Sequence, residues 1–173
     1  MTVGAGRLKP RALRPGDRIA IVSPASPIER GELERGATEL RAMGFEPVYD
    51  EAALAREGYV AGAADVRARA FVRAWQDPAI AALISSRGGY GSAQILPALD
   101  QSALRATPKL FIGYSDTTAV LSWLTTGCGL TALHGPMVER RIAAGSAGVH
   151  VESFRATIEG RSARSEEHTS ELQ

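Results

Sequence analysis

The chain has 173 residues, of which 45% are hydrophobic and 23% are charged, and its formal net charge is +1. This composition is typical of one globular domain with a sizeable core. The small net charge and the scattered basic residues argue against a nucleic-acid-binding surface, and no apolar run approaches the ~18 residues of a membrane span. Cys128 is the single cysteine, which excludes an internal disulfide and a cysteine-rich metal site. Because residues 1–10 lack an apolar signal-peptide core, we expect a cytoplasmic protein without nucleic-acid or membrane partners.

Apolar runs and segments of helical spacing alternate along the chain. After an N-terminal arm at residues 1–12, short apolar runs predict five strands, and apolar residues at helical spacing predict four helices between them. Pro47 favours an early position within the second strand or an edge position for it, because proline cannot donate a hydrogen bond to a neighbouring strand. The predicted strands are 18–22, 45–49, 80–86, 110–113 and 130–133, and the predicted helices are 29–43, 65–75, 92–99 and 117–127.

The strands are continuous apolar runs rather than alternating ones, which indicates burial on both faces. Together with the alternation of strands and helices, this predicts an α/β fold with an open, mostly parallel sheet sandwiched between helices. We assign residues 1–163 to this domain. Residues 164–173 are polar and match the translation of a common sequencing-library adapter, so we expect them to be an assembly artefact.

The stretch from Leu110 to Val120 has the pattern of a strand-to-helix elbow. An apolar run ends at Gly113, Ser115 follows two residues later, and a helical segment begins at once. Such an elbow exposes a nucleophilic hydroxyl at the carboxyl edge of a sheet. The sequence therefore predicts Ser115 as a nucleophile. The alternative is a serine that caps the helix, because Ser-Asp-Thr-Thr has ample capping capacity.

A glycine-rich loop, Arg87-Gly88-Gly89-Tyr90-Gly91, follows the third predicted strand. In a parallel sheet this loop lies at the same edge as the elbow. Glycines leave backbone N–H groups accessible, so Gly88 or Gly89, together with the N–H of Asp116, is predicted to form an oxyanion hole. The alternative is anion binding at residues 88–91 by a non-catalytic module. The chain has no GxGxxG pattern and no Walker lysine, which argues against a dinucleotide or P-loop site.

A nucleophilic serine needs a general base. Within residues 1–163 only His134 and His150 offer an imidazole. His134 stands in a Gly-Pro turn, and His150 lies in a polar helix typical of a surface. The residues thus indicate a nucleophile and an oxyanion hole, but no convincing base.

Five motifs in this order resemble the LD-carboxypeptidases, the serine peptidases of family S66, which also include the microcin-immunity proteins. The resemblance covers residues 8–160. It implies a flavodoxin-like sandwich similar to class I glutamine amidotransferases, which supplies the serine of a Ser-Glu-His triad, and a second domain that supplies the glutamate and histidine. The motifs are Leu13-Arg14-Pro15-Gly16-Asp17-Arg18-Ile19 with Ser23-Pro24-Ala25-Ser26, Asp65-Val66-Arg67-Ala68-Arg69 before Asp77-Pro78, Arg87-Gly88-Gly89-Tyr90-Gly91, Gly113-Tyr114-Ser115-Asp116 and His134-Gly135-Pro136-Met137.

The resemblance implies removal of the terminal D-alanine from muropeptide tetrapeptides in peptidoglycan recycling, without a cofactor or a metal. A microcin-immunity-type cleavage of aminoacyl-nucleotide conjugates is the alternative within the family. Nothing after about Gly160 resembles the family, so we expect the second domain to be missing and the chain alone to be inactive. Glu139 and Glu152 match no catalytic position. The resemblance also implies that the full-length protein is a homodimer. Arg87 and Tyr90 are predicted to bind substrate, with a structural ion pair as the alternative for Arg87.

Overall fold

The computed structural model describes residues 7–161, which form a five-stranded, fully parallel sheet. The strand order is β2-β1-β3-β4-β5, and the prediction of an α/β fold with an open parallel sheet is confirmed. The second strand lies at an edge, as Pro47 indicated. The strands are β1 (Arg18–Val22), β2 (Glu46–Val48), β3 (Ile80–Ser85), β4 (Leu110–Gly113) and β5 (Leu133–His134).

Five α-helices and four short 3-10 turns connect the strands in the described part of the chain. Within residues 7–161, no helix is both long and apolar enough to cross a membrane. The helices are α1 (Arg30–Ala42), α2 (Ala64–Gln76), α3 (Gln101–Ala106), α4 (Thr118–Thr126) and α5 (Val151–Ile158), and the 3-10 turns are Glu51–Leu54, Ser92–Ala98, Ser115–Thr117 and Ile142–Ala147.

The sheet separates two hydrophobic clusters, one on each face. Strand β1 sends Ile19 and Ile21 into the cluster that holds the apolar face of α1 and Phe154 of α5. The alternate residue Ala20 packs into the other cluster, with Phe71 of α2 and the apolar face of α4. Because both faces of the sheet are covered, the strands must be apolar on both sides, which explains their continuous hydrophobic runs.

Two elements differ from the sequence prediction. The helix predicted at 92–99 is a 3-10 segment with Pro97 inside it, because proline removes a donor that an α-helix requires. The next α-helix, α3, was not predicted, although Asp100 caps it by accepting hydrogen bonds from the backbone N–H groups of Ser102 and Ala103. The prediction of residues 164–173 as an artefact lies outside the described residues.

The last strand starts later than predicted. It begins at Leu133 rather than at Leu130, which instead forms an isolated bridge to Leu8. The backbone of Leu8 donates to Gly129 O and accepts from the N–H of Thr131. The apolar run at 130–133 is therefore divided between two pairings, a result of tertiary contact with the start of the chain.

Candidate functional site

The elbow after β4 holds Ser115 in a left-handed backbone conformation, with φ of 59°. Ser115 and Arg140 are the two non-glycine residues with positive φ in the described part of the chain. The turn is tight, because a Cβ on Gly113 would lie 2.5 Å from Thr117 Oγ1. That hydroxyl donates a hydrogen bond to Tyr114 O at 2.8 Å. Ser115 thus occupies a strained strand-to-helix turn of the kind that presents a nucleophile.

The glycine-rich loop lies directly against Ser115. A Cβ on Gly88 would be 3.0 Å from Ser115 Cβ and 3.1 Å from Ser115 Oγ. Gly89 has a φ of 96°, and a Cβ there would overlap the side chain of Ser26. Within residues 7–161, the N–H groups of Gly88, Gly89 and Asp116 donate no hydrogen bond to another protein group. Free N–H groups on both sides of a serine hydroxyl can stabilise an oxyanion.

Asp116 joins the elbow to the end of the glycine-rich loop. Its carboxylate accepts from the N–H of Ser92 at 2.8 Å, and its carbonyl accepts from Ser92 Oγ at 2.7 Å. Ser92 is fully buried. The side chain of Asp116 therefore holds two loops in register, while its N–H remains available as an oxyanion donor.

The buried guanidinium of Arg67 is hydrogen-bonded to the glycine-rich loop and to two neighbouring loops. Arg67 on α2 is 3% exposed. It donates to Pro24 O at 2.6 Å, to Gly62 O at 2.9 Å and to Gly91 O at 2.8 Å. Burial lowers the pKa of the Arg67 guanidinium, and the Asp116 carboxylate opposes part of that shift. Arg67 belongs to the motif at residues 65–69, but the sequence analysis assigns it no role. The signal that could have found it is its position four residues before Phe71, which places both on the buried face of α2.

The two predicted substrate-binding residues differ in their surroundings. Arg87 forms an ion pair with Glu139, with 3.3 Å between Nε and Oε2, and donates to Pro27 O. Protein groups thus hold the Arg87 guanidinium, in agreement with the alternative that Arg87 forms a structural ion pair. Tyr90 is largely exposed, and its ring stands edge-on to that of Tyr59.

Within the described part of the chain, neither His134 nor His150 forms a hydrogen bond with Ser115. The ring of His134 lies against Tyr114, with 6.1 Å between the ring centroids. His150 caps α5, where its Nδ1 accepts from the N–H of Ser153 at 3.2 Å. Among the described residues, Ser115 Oγ has no hydrogen-bond partner, and no three side chains of metal-ligating type form a cluster. The candidate site at residues 88–116 therefore places a candidate nucleophile beside candidate oxyanion donors, and among the described residues no base is hydrogen-bonded to that serine.

Comparison with known proteins connects this site to peptidases. Residues 19–135 match the LD-carboxypeptidase N-terminal domain of the peptidase S66 family. The chain is 40% identical over 134 residues to a Streptomyces coelicolor protein named as a carboxypeptidase, which covers 75% of this chain and 43% of that protein. It is 37% identical over 121 residues to the murein tetrapeptide carboxypeptidase of Pseudomonas aeruginosa, covering 69% of this chain and 39% of the relative.

The microcin C7 self-immunity protein MccF of Escherichia coli is also similar, with 36% identity over 124 residues, or 70% of this chain and 36% of that protein. Its structure with aspartyl sulfamoyl adenosine superimposes with a TM-score of 0.83 at 30% identity, covering 91% of this chain and 48% of that one. Another MccF structure is of an active-site mutant in which a serine, an asparagine and a lysine are replaced by alanine. The chain thus spans about two fifths of the length of the curated relatives it matches.

Proposed function

Since the chain belongs to the peptidase S66 family of LD-carboxypeptidases, we propose that it is the nucleophile-bearing part of a serine hydrolase. In this proposal Ser115 attacks the bond between an L-centre and the terminal D-alanine of a muropeptide tetrapeptide, in peptidoglycan recycling. The observation that supports it best is the left-handed backbone of Ser115, packed against the Gly88 backbone. Strain of this kind persists where the surrounding structure enforces it, often at active sites.

The mechanism follows from the positions of the donors. Ser115 Oγ loses its proton to a general base and attacks the scissile carbonyl carbon, which forms a tetrahedral oxyanion. The N–H groups of Asp116 and of Gly88 or Gly89 stabilise that charge, and each such donor contributes ~2.7–4 kcal/mol in comparable sites. The protonated base then gives its proton to the departing amine, and water hydrolyses the acyl-enzyme.

The general base is proposed to lie outside residues 7–161. The described histidines form no hydrogen bond with Ser115, and His150 Nδ1 is already an acceptor for a backbone N–H. A Ser-Glu-His triad would then need a histidine and a glutamate from a further part of the protein. The chain spans 43% of the Streptomyces relative, which leaves room for such a part.

Hydrolysis of an aminoacyl-nucleotide conjugate is the second candidate function. It is favoured by the similarity to MccF, whose structure contains aspartyl sulfamoyl adenosine. Both reactions use the same nucleophile and oxyanion hole, so they differ in what binds beside Ser115.

The first prediction concerns Ser115 in the protein encoded by the complete gene. Ser115→Ala should lower the release of D-alanine from muropeptide tetrapeptide by about 10⁴-fold or more, because it removes the attacking oxygen. Ser122→Ala, an exposed serine on α4, is the matched control and should keep the activity within about twofold. Release is measured with a coupled D-amino-acid assay.

Three outcomes separate the alternatives. Equal D-alanine release by the Ser115→Ala protein and the unsubstituted protein would contradict the proposed role of Ser115 as the nucleophile. Equal rates of D-alanine release by residues 1–163 and by the complete gene product would contradict the proposal that the general base lies outside this chain. A complete protein that hydrolyses neither substrate, yet binds an anion at residues 88–91, would indicate a non-catalytic module instead.

A further inference from the structure

The turn at residues 137–142 lies at the carboxyl edge of the sheet, beside the candidate site. The pairing of β3 with β4 has ended there, because the chain of β4 has already turned away at the elbow. In its place, the N–H groups of Val138 and Glu139 donate to Ser85 O at 3.1 Å and to Ser86 O at 2.8 Å. The turn is therefore fixed to the end of β3, where the glycine-rich loop begins.

Three consecutive residues of this turn each contact a different part of the fold. The carboxylate of Glu139 pairs with the arginine of the glycine-rich loop at 3.3 Å. The N–H of Arg140 donates to the carboxylate of Glu32 on α1 at 2.9 Å. The side chain of Arg141 turns to the elbow, where its Nε donates to the hydroxyl of Tyr114 at 3.4 Å. Arg141 thus contacts the residue that immediately precedes the candidate nucleophile.

The guanidinium of Arg141 has donors to spare. Arg141 is exposed, and within residues 7–161 no carboxylate lies within 4.0 Å of its guanidinium. Its Nη groups donate to no protein group in the described part of the chain, since the bond to Tyr114 uses Nε. By contrast, Arg87 is paired with Glu139, and Arg67 is enclosed by carbonyls. Of these three arginines around the site, Arg141 is therefore the one that can accept an anion.

Removal of a single terminal residue from a peptide requires recognition of the free carboxylate at the end of the chain. That carboxylate belongs to the residue just beyond the bond that is cut, and consecutive Cα atoms are only about 3.8 Å apart. Its binding group must therefore lie close to the nucleophile. A guanidinium suits this role, because its parallel N–H groups match the two oxygens of a carboxylate.

We propose that Arg141 is a specificity-determining residue that binds the terminal carboxylate of the substrate and so restricts cleavage to the last peptide bond. The hydroxyl of Tyr114 orients the guanidinium through Nε and leaves both Nη groups for the carboxylate. Arg87, the arginine that the sequence predicts for substrate binding, is already engaged by Glu139. This proposal rests on the proposed function, because it takes Ser115 as the nucleophile.

The test uses the complete gene product with two substrates, the muropeptide tetrapeptide and the same peptide with a C-terminal amide in place of the carboxylate. Arg141→Gln should lower kcat/KM for the acid by about 10- to 100-fold, mainly through KM, because a charge-assisted contact is lost. For the amide, kcat/KM should stay within about threefold, so that the preference for the acid disappears. Arg141→Lys keeps the charge but not the paired donors, and should retain part of the preference.

Arg41→Gln is the matched control, since Arg41 is an exposed arginine in the last turn of α1. It lies at the amino edge of the sheet, because α1 ends just before β2 begins, and it should leave the ratio of the two kcat/KM values unchanged. An unchanged ratio in Arg141→Gln would overturn the proposal. So would an equal loss of preference in Arg140→Gln, because the effect would then come from the charge of the turn rather than from Arg141.

Equilibrium binding separates this proposal from the catalytic one. The tetrapeptide, its amide and adenosine monophosphate are each titrated into the complete Ser115→Ala protein, with and without Arg141→Gln. Acid binding that weakens about tenfold in the double variant, with amide binding unchanged, supports the carboxylate contact even if nothing is cleaved, and then only the proposed function fails. Cleavage of acid and amide at equal rates overturns the contact and leaves the function standing. Arg141-dependent binding of adenosine monophosphate alone would assign the arginine to a phosphate and overturn the proposal.

Discussion

Gly88 shows how much a single residue determines at this site. Because Gly88 has no side chain, the Ser115 hydroxyl can lie close to its backbone. A Cβ at this position would also lie 3.3 Å from Met137 Cε. Contacts of this length force a neighbour to move by a few tenths of an ångström. Ser115 has little freedom to move, because its left-handed backbone is already strained.

We therefore predict that Gly88→Ala lowers kcat by about 100-fold, since displacement of a reacting atom by a fraction of an ångström is costly. The melting temperature should fall little, because the backbone of Gly88 does not need positive φ. Gly31→Ala in α1 is the control, with its nearest contact at 3.5 Å from a flexible side chain. An unchanged kcat in Gly88→Ala would show that the loop does not approach the reacting oxygen.

At the scale of elements, α2 connects three loops, those that follow β1, β2 and β3. Arg67 donates to carbonyls of the 23–27 loop, the 51–63 segment and the glycine-rich loop. A buried guanidinium is stable only when such acceptors surround it. The helix thus contributes to the site through one side chain, besides packing on the sheet.

Arg67→Met should lower the free energy of unfolding by about 2 kcal/mol or more, because two buried carbonyls and a partly buried one lose their donor. Arg69→Met, two residues along the same helix, removes only an exposed ion pair with Asp65 and should leave the free energy of unfolding nearly unchanged, because solvent screens such pairs. Urea denaturation monitored by circular dichroism measures both. Equal effects of the two substitutions would contradict a supporting role for Arg67.

At the scale of the whole molecule, one carboxylate fastens the N-terminal arm and another connects two segments that are distant in sequence. Asp17 accepts from Arg11, and this side-chain hydrogen bond lowers the pKa of the Asp17 carboxyl. Glu32 on α1 accepts from the backbone N–H of Arg140, which lowers the pKa of the Glu32 carboxyl. Arg140 is the second non-glycine residue with positive φ among those described, so Glu32 helps to hold a strained turn.

These shifts predict the direction of the pH dependence. A carboxyl whose pKa is lower in the folded state than in the unfolded state stabilises the fold above its unfolded pKa, and this contribution is lost as the pH falls through the folded pKa. The melting temperature should hold near neutral pH and fall below about pH 5. The Glu32→Gln protein should have a lower melting temperature than the unsubstituted protein at pH 7. Its melting temperature should then fall less as the pH is lowered below about 5. Glu34→Gln, an exposed position on the same helix, should follow the unsubstituted protein, and identical pH profiles for Glu32→Gln and Glu34→Gln would contradict this coupling.

Local patterns determined most of the fold and the form of the elbow. The five strands, the edge position of Pro47 and the turn around Ser115 depend on residues adjacent in sequence, so they could be predicted. The 3-10 segment and α3 were misjudged because Pro97 and the Asp100 cap act over a few residues within an apolar run. The division of residues 130–133 between β5 and Leu8 could not be predicted locally, because the partner is far away in sequence.

The sequence by itself predicted Ser115 and the glycines that follow β3 as the residues that bear the chemistry, because a nucleophilic elbow and an N–H-rich loop are local backbone features. Only the tertiary structure decided how the loops meet. The ion pair of Arg87 with Glu139, the hydrogen bonds of Arg67, and the hydrogen bonds of Ser26 to Tyr59 and Tyr90 each join residues from different loops. Their contacts depend on strand order and register, which arise from packing of the whole sheet rather than from any single stretch of the chain.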